Sequence, residues 1–180
     1  MRRSFLPALA AMLLAPEPEV ARPLSQEPLF AGVRVFYGPG EDFESIDAKL
    51  IGGARHSIDM AAYVLTDRAL VAALGRAAMR GVKVRVYLDG EETGRGSPII
   101  DIASAPNIEV RRKARGRDLM HLKSYQVDGV TLRTGSANFS VSGEVYQDND
   151  LIVIQSPAAA ARFREAFERL WMRPDNQRFF

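Results

Sequence analysis

The sequence predicts an α/β protein, a single domain whose mixed β-sheet is flanked by helices. Three observations predict it. Between Val33 and Arg112, short alternating runs take turns with stretches whose apolar residues recur every three or four positions, the pattern of strands separated by helices. Asp128-Gly129 separates two runs of period two, and an Asp-Gly pair there signals a hairpin because the tight turn needs positive φ at both central residues. Leu151 to Ile154 is a continuous apolar run followed by Ser156-Pro157, as expected of a buried strand leading into a capped helix.

Taken in order, Val33 to Tyr37 alternates and reads as a strand closed by Gly38-Pro39-Gly40. Asp42 caps a helix with Phe43, Ile46, Leu50 and Ala54 on one stripe, and His56 ends it, where an imidazole is favourably placed against the helix dipole. Ser57 to Val64 is the second strand. Thr66 caps the next helix, with Leu70, Ala73, Leu74 and Ala77 facing inward and Gly81 ending it. Val82 to Leu88 is the third strand and Ile108 to Arg112 the fourth, with a short helical pattern near Ile99 to Ala103 between them. Gly135 to Gln147 reads as a polar loop, and Phe163, Phe167, Leu170 and Trp171 as the buried stripe of the last helix. The domain spans residues 30–172, and a loose tail follows at 173–180.

Residues 1–25 differ from the rest. Arg2-Arg3 precede an apolar run from Phe5 to Ala15, which fits a secretory signal peptide and a periplasmic or secreted location. The alternative is a disordered or amphipathic arm on a cytoplasmic protein. The 180 residues carry a net charge of only +2 and no cysteine, so global charge does not argue for a polyanionic partner, and thiolate chemistry is excluded. Two isolated histidines without cysteine argue against a zinc site.

The hairpin gathers the chemistry. A two-residue turn sets Val127 opposite Val130, Lys123 opposite Thr134 and His121 opposite Ser136, and directly opposed residues share a face. Asn138 keeps that parity if the strand continues. A nucleophile candidate, a cation, hydroxyls and an amide are thereby expected to cluster.

The spacing His121-x-Lys123-x4-Asp128-x6-Gly135-Ser136-x-Asn138 resembles the signature of the phospholipase D superfamily. Ser57 to Tyr63 followed by Thr66-Asp67, and Arg80 to Asp89, are similar to other parts of it. The chain resembles single-signature members such as the small bacterial periplasmic endonucleases, over residues 30–172. The resemblance implies a phospholipase D-like fold and phosphodiester hydrolysis through a phosphohistidine on His121, with neither metal nor cofactor. Lys123 would neutralise the non-bridging phosphate oxygens, Asn138 would donate to them, and Ser136 would bind phosphate or position the imidazole. Asp128 belongs to the signature, yet the hairpin puts it in the turn, too far from His121 for proton transfer, where it stabilises the turn.

In the resembling endonucleases a glutamate orients the histidine. The ungapped position here is Asn149, with Asp148, Asp150 and Glu144 as neighbours that can take the role. Arg111, Arg112, Lys113, Arg115 and Arg117 form a basic run upstream of His121. It reads as substrate-binding, beside a polyanionic backbone, or as a solvated edge strand. One signature per chain implies a homodimer, with two copies of His121 at one cleft. Nucleic acid is the expected substrate. A phospholipid or cardiolipin hydrolase is the alternative, with no apolar patch evident beside the site to favour it. A non-catalytic nucleic-acid-binding member is the third reading, supported by Asn149.

Overall fold

A computed structural model describes residues 32–178 apart from 93, 95 and 117. The segment 1–25, read above as a leader or arm, lies outside the described residues, and so does Arg117.

The strands are β1 (Val33–Tyr37), β2 (Ser57–Ala62), β3 (Lys83–Leu88), β4 (Ile108–Arg112), β5 (Lys123–Val127), β6 (Thr131–Gly135), β7 (Asp150–Gln155) and β8 (Gln177–Arg178). They form one mixed sheet in the order β1-β7-β6-β5-β2-β3-β4-β8. Only β2–β3 and β3–β4 pair in parallel, joined by helical crossovers, while the remaining pairs are antiparallel. The α/β class and the mixed sheet are therefore as expected.

The helices are α1 (Phe43–Gly52), α2 (Arg68–Met79) and α3 (Pro157–Trp171). Helices α1 and α2 cover one face, over Ile58, Met60, Val84, Val86, Val110, Tyr125 and Val127. Helix α3 covers the other, where Phe163, Phe167 and Trp171 pack on Ala61, Tyr87 and Met120. Full burial of one such aromatic is worth roughly 1.5–3 kcal/mol, so the stripe on α3 is what closes the second layer.

Local chemistry differs from expectation at four places. Helix α1 ends at Gly52, with Gly53 N–H bonded to Lys49 O at 2.9 Å, so His56 lies beyond it, and its N–H donates to Asp128 instead. The cap of α2 is Asp67, not Thr66: one carboxylate oxygen accepts from Ala69 and Leu70 N–H at 2.7 and 3.1 Å. Within the loop expected after Gly135, Ser142–Tyr146 winds into a π-helical turn. The described part of the tail, 173–178, is anchored, since β8 pairs with Arg111 and Arg112 of β4, and Asn176 bonds to the last carbonyls of α3.

The hairpin register is corrected by one residue. Asp128 and Gly129 do have positive φ (55° and 71°), and Val130 N–H closes the turn on Val127 O. Pairing resumes with Val127 opposite Thr131, however, then Gln126 opposite Leu132 and Tyr125 opposite Arg133. Val130 is an extra residue whose carbonyl accepts from Ser156 N–H at 2.9 Å, an arrangement equivalent to a bulge. A one-residue slip exchanges the faces. Arg133, not Thr134, now shares a face with Lys123 and Tyr125, and the Thr134 hydroxyl bonds Ser124 on the α3 side at 2.9 Å.

Candidate active site

Strands β1, β2, β3, β4 and β6 end at one rim of the sheet, and β5 and β7 begin there, as the registers Tyr37↔Asp150, Ala62↔Lys123 and Gly135↔Leu151 require. Loops at such carboxyl ends are where α/β sheets bind ligands. His121 lies just before β5, on an irregular segment pinned by backbone contacts. Met120 N–H donates to buried Asp89 at 2.7 Å, and Leu122 O accepts from Tyr63 N–H at 2.8 Å. The segment approaches β2 without joining its ladder, which leaves the His121 side chain exposed at the rim.

Lys123 Nζ is 3.2 Å from His121 Nε2 and donates to His121 O at 3.0 Å. An ammonium is a donor only, so Nε2 accepts and the ring proton belongs on Nδ1. Lys123 is only 7% exposed, and this burial lowers its pKa from the ordinary value. Tyr63 completes the group: its ring meets the imidazole edge to face at 4.5 Å, and Lys123 Nζ lies 5.0 Å from its centroid. Sequence reasoning gave Tyr63 no role. The signal was its place at the end of the Ser57–Tyr63 stretch, on the rim.

Asn138 follows β6 on the same rim, and its Oδ1 is buried with no hydrogen-bond partner. A buried amide oxygen left unpaired is uncommon. Two glycines make room here. A side chain at Gly135, whose φ is 140°, would meet the Asp150 carbonyl, and one at Gly143 would meet the Asn138 carbonyl.

The observed register no longer sets Ser136 opposite His121, and the parity expected for Asn138 shifts with it. Its hydroxyl donates to Asn149 Oδ1 at 3.0 Å and accepts from Asp150 N–H at 2.9 Å. Of the carboxylates near Asn149, Asp150 accepts from Ser136 N–H at 3.1 Å, and Glu144 is buried against Arg133 at 3.4 Å. The ring of His121 itself meets Lys123 and Tyr63.

Asp128 lies at the opposite rim, separated from Lys123 by the length of β5, about 16 Å of extended chain. Its carboxylate accepts from Arg55, His56 and Ser57 N–H at 2.9, 2.7 and 2.9 Å. Partial burial works to raise its pKa, but those three donors outweigh it and hold the carboxyl below the usual value.

The basic run divides. Arg111 stacks on Trp171 at 4.4 Å, pairs with Glu109 and donates to Trp171 O. Arg112 donates to Gln177 at 2.8 Å, Lys113 to Asp118 O, and Arg115 to Gly90 O at 3.3 Å. Arg111 thus anchors α3. Among the described residues, no group of three or more His, Cys, Asp or Glu is arranged to hold a metal ion, and no helix is long and apolar enough to cross a membrane.

Known proteins resemble the chain in sequence and in fold. Residues 48–171 match the family model described as "Cardiolipin synthase, PLD-like domain". The mitochondrial cardiolipin hydrolase of Xenopus laevis is 29% identical over 120 residues, 66% of this chain and 56% of that protein. The chain thus spans little more than half the length of the first curated relatives it matches. The crystal structure of Nuc from Salmonella typhimurium, a phospholipase D family member, superposes with a TM-score of 0.73 at 31% identity, covering 82% of this chain and 97% of that one. NucT from Helicobacter pylori shares the fold, with a TM-score of 0.76 at 22% identity over 82% of this chain and 98% of that one. With His121, Lys123 and Asn138 on one sheet rim and the family model covering more than half of the sequence, the chain belongs to the phospholipase D superfamily, as a member similar to Nuc.

Proposed function

We propose that the chain is a metal-independent phosphodiesterase, an endonuclease acting on DNA or RNA as a homodimer. The observation that carries the reading is the His121–Lys123 contact of 3.2 Å at the sheet rim. Lys123 donates to Nε2 and so occupies its lone pair in the free protein. A phosphodiester entering the rim offers the ammonium a better acceptor, an anionic non-bridging oxygen. Nε2 is then released, attacks phosphorus and forms a P–N bond, while the P–O bond to the leaving group breaks. Lys123 and the Asn138 amide stabilise the charge on the non-bridging oxygens. Water, losing a proton to a base, then displaces the imidazole and returns it to its starting form.

The leaving oxygen needs a proton. The chain's other histidine, His56, lies beside Asp128 at the far rim, which supports a second copy of His121 as the general acid. The N-terminal pattern supports export, and the cations Arg112, Lys113 and Arg115 are the candidates for holding the polynucleotide backbone.

A second reading, hydrolysis of a phospholipid of the cardiolipin type, gains an observation that the sequence did not offer. Leu119 and Leu122 flank His121 and are 52% and 41% exposed, and Val141, Val145 and Tyr146 are exposed on the turn after Asn138. Exposed apolar side chains therefore lie close in sequence to His121 and Asn138, and they suit acyl chains or a partner chain. Parallel assays of single-stranded DNA, duplex DNA, RNA and cardiolipin vesicles, with His121→Ala as control, decide between the readings. The proposal expects cleavage of nucleic acid that is lost in the variant. Hydrolysis of vesicles alone establishes the second reading, and no turnover of any phosphodiester removes both.

A further inference from the structure

Arg133 has no part in the chemistry above, yet it is among the largest fully buried side chains of the protein. A buried guanidinium is costly unless every donor is met. Here Nε and Nη2 form a bidentate pair with Asp47 of α1 at 3.0 and 2.7 Å. Nη2 also reaches Glu144 at 3.4 Å, and the guanidinium lies 4.5 Å from the Phe139 ring centroid. Nη1 donates to two backbone carbonyls, Lys123 O at 3.0 Å and Ala137 O at 3.3 Å.

Those two carbonyls belong to the two halves of the signature: Lys123 itself, and the residue before Asn138. The ladder between β5 and β6 ends at Tyr125↔Arg133, short of both. Beyond that point the Ser124–Thr134 hydroxyl contact joins the strands on the α3 side, and the guanidinium bridges the two segments on the α1 side, at Lys123 and Ala137 themselves. Burial, reinforced by the Asp47 carboxylate, pushes the Glu144 carboxyl up to about 9, and burial raises the Asp47 carboxyl against the pull of Arg133. A rigid and buried fork is suited to fixing a distance.

We propose that Arg133 is a positioning residue, setting the separation of Lys123 and Asn138 so that cation and amide meet the same phosphate. The role rests on the phosphodiesterase reading, and it predicts that rate, more than binding, depends on a side chain that touches no substrate. Displacements of about 1 Å at reacting groups cost on the order of a hundredfold.

The test uses Arg133→Lys, which keeps the charge but loses the planar fork, and the double variant Arg133→Met/Asp47→Leu, which replaces the buried pair by apolar groups. On bis-p-nitrophenyl phosphate, at temperatures where circular dichroism shows a folded variant, kcat falls at least about tenfold while KM changes by less than about threefold. A folded variant with wild-type kcat overturns the proposal. Amide hydrogen exchange on the wild-type protein needs no variant to fold and no activity. Amides of residues 120–124 and 136–139 should open together, with one free energy and one denaturant dependence. Separate openings overturn the proposal as well. If the wild type cleaves no phosphodiester, the functional reading falls, while the exchange result still decides whether Arg133 couples the two segments.

Discussion

Lys123 Nζ donates to both the Nε2 and the carbonyl oxygen of His121, at 3.2 and 3.0 Å. One ammonium therefore fixes the orientation of the ring, its tautomer and the path of its own chain. The two residues work as a unit, and the predictions begin there.

His121→Ala abolishes phosphodiesterase turnover with little change in thermal stability, because the residue is exposed at the rim. Lys123→Ala and Asn138→Ala each lower kcat on the order of a hundredfold or more, the usual cost of a lost oxyanion donor. Burial lowers the Lys123 pKa from 10.5, so the alkaline limb of kcat lies below that pH. Lys123→Arg moves the limb out of reach, which a pH–rate profile reads directly.

Tyr63→Leu removes the ring that touches both groups and lowers kcat by about three- to tenfold, the scale of one cation–π contact and a loosened imidazole. Tyr63→Phe keeps the ring and stays within about twofold of wild type. Steady-state kinetics of the pair separates the ring from its hydroxyl, which bonds Glu92.

Asp128→Ala costs stability and leaves the chemistry in place, about 1–3 kcal/mol for three backbone donors whose shared acceptor is partly solvated. A carboxyl held below its ordinary value contributes stability that is present above its unfolded pKa, near 3.8. That contribution is lost as pH falls through the folded value. Wild type and variant should therefore converge in acid, as urea titrations from pH 7 to pH 2 will read. Loss of turnover in a variant of normal stability contradicts this role.

Glu144 has the opposite sign. Its folded pKa, about 9, is raised above the ordinary 4.5. Its contribution is therefore full below about pH 4.5 and declines as pH rises towards about 9, because the unfolded chain ionises there and the folded one does not. Glu144→Gln keeps the shape and removes that decline. Melting temperatures across pH 5 to 9 should fall less steeply in the variant than in wild type.

Mixing wild-type and His121→Ala chains under exchange tests the composite site. At equal mixing about a quarter of randomly paired dimers retain both imidazoles, so activity falls below the wild-type fraction. Activity in simple proportion, or a fully active monomer in sedimentation, contradicts the dimer. Turnover in excess EDTA should persist, since Lys123 carries the charge that a metal would otherwise supply.

Most elements were legible in the sequence because local chemistry sets them. The Asp42 and Ser156 caps and the Pro157 start each act within one turn of helix, and the apolar stripe on α3 repeats at the helical period. The signature spacing likewise carried His121, Lys123 and Asn138 to one rim, since strands and tight turns allow few alternatives. The sequence determined the turn at Asp128-Gly129 as well, but not its register. Ser156 takes the Val130 carbonyl from the far end of β7, a contact between distant parts of the chain that no window around the turn contains. That one-residue slip took Thr134 out of the cluster, turned Ser136 towards Asn149 and brought Arg133 beneath Lys123. Tertiary structure also decided the fate of Arg111, which reads as a surface cation until Trp171 of α3 packs against it. Tyr63, Asp89 and Arg133 became site residues for the same reason: their partners are 58, 31 and 10 positions away, and only the folded sheet brings them within reach.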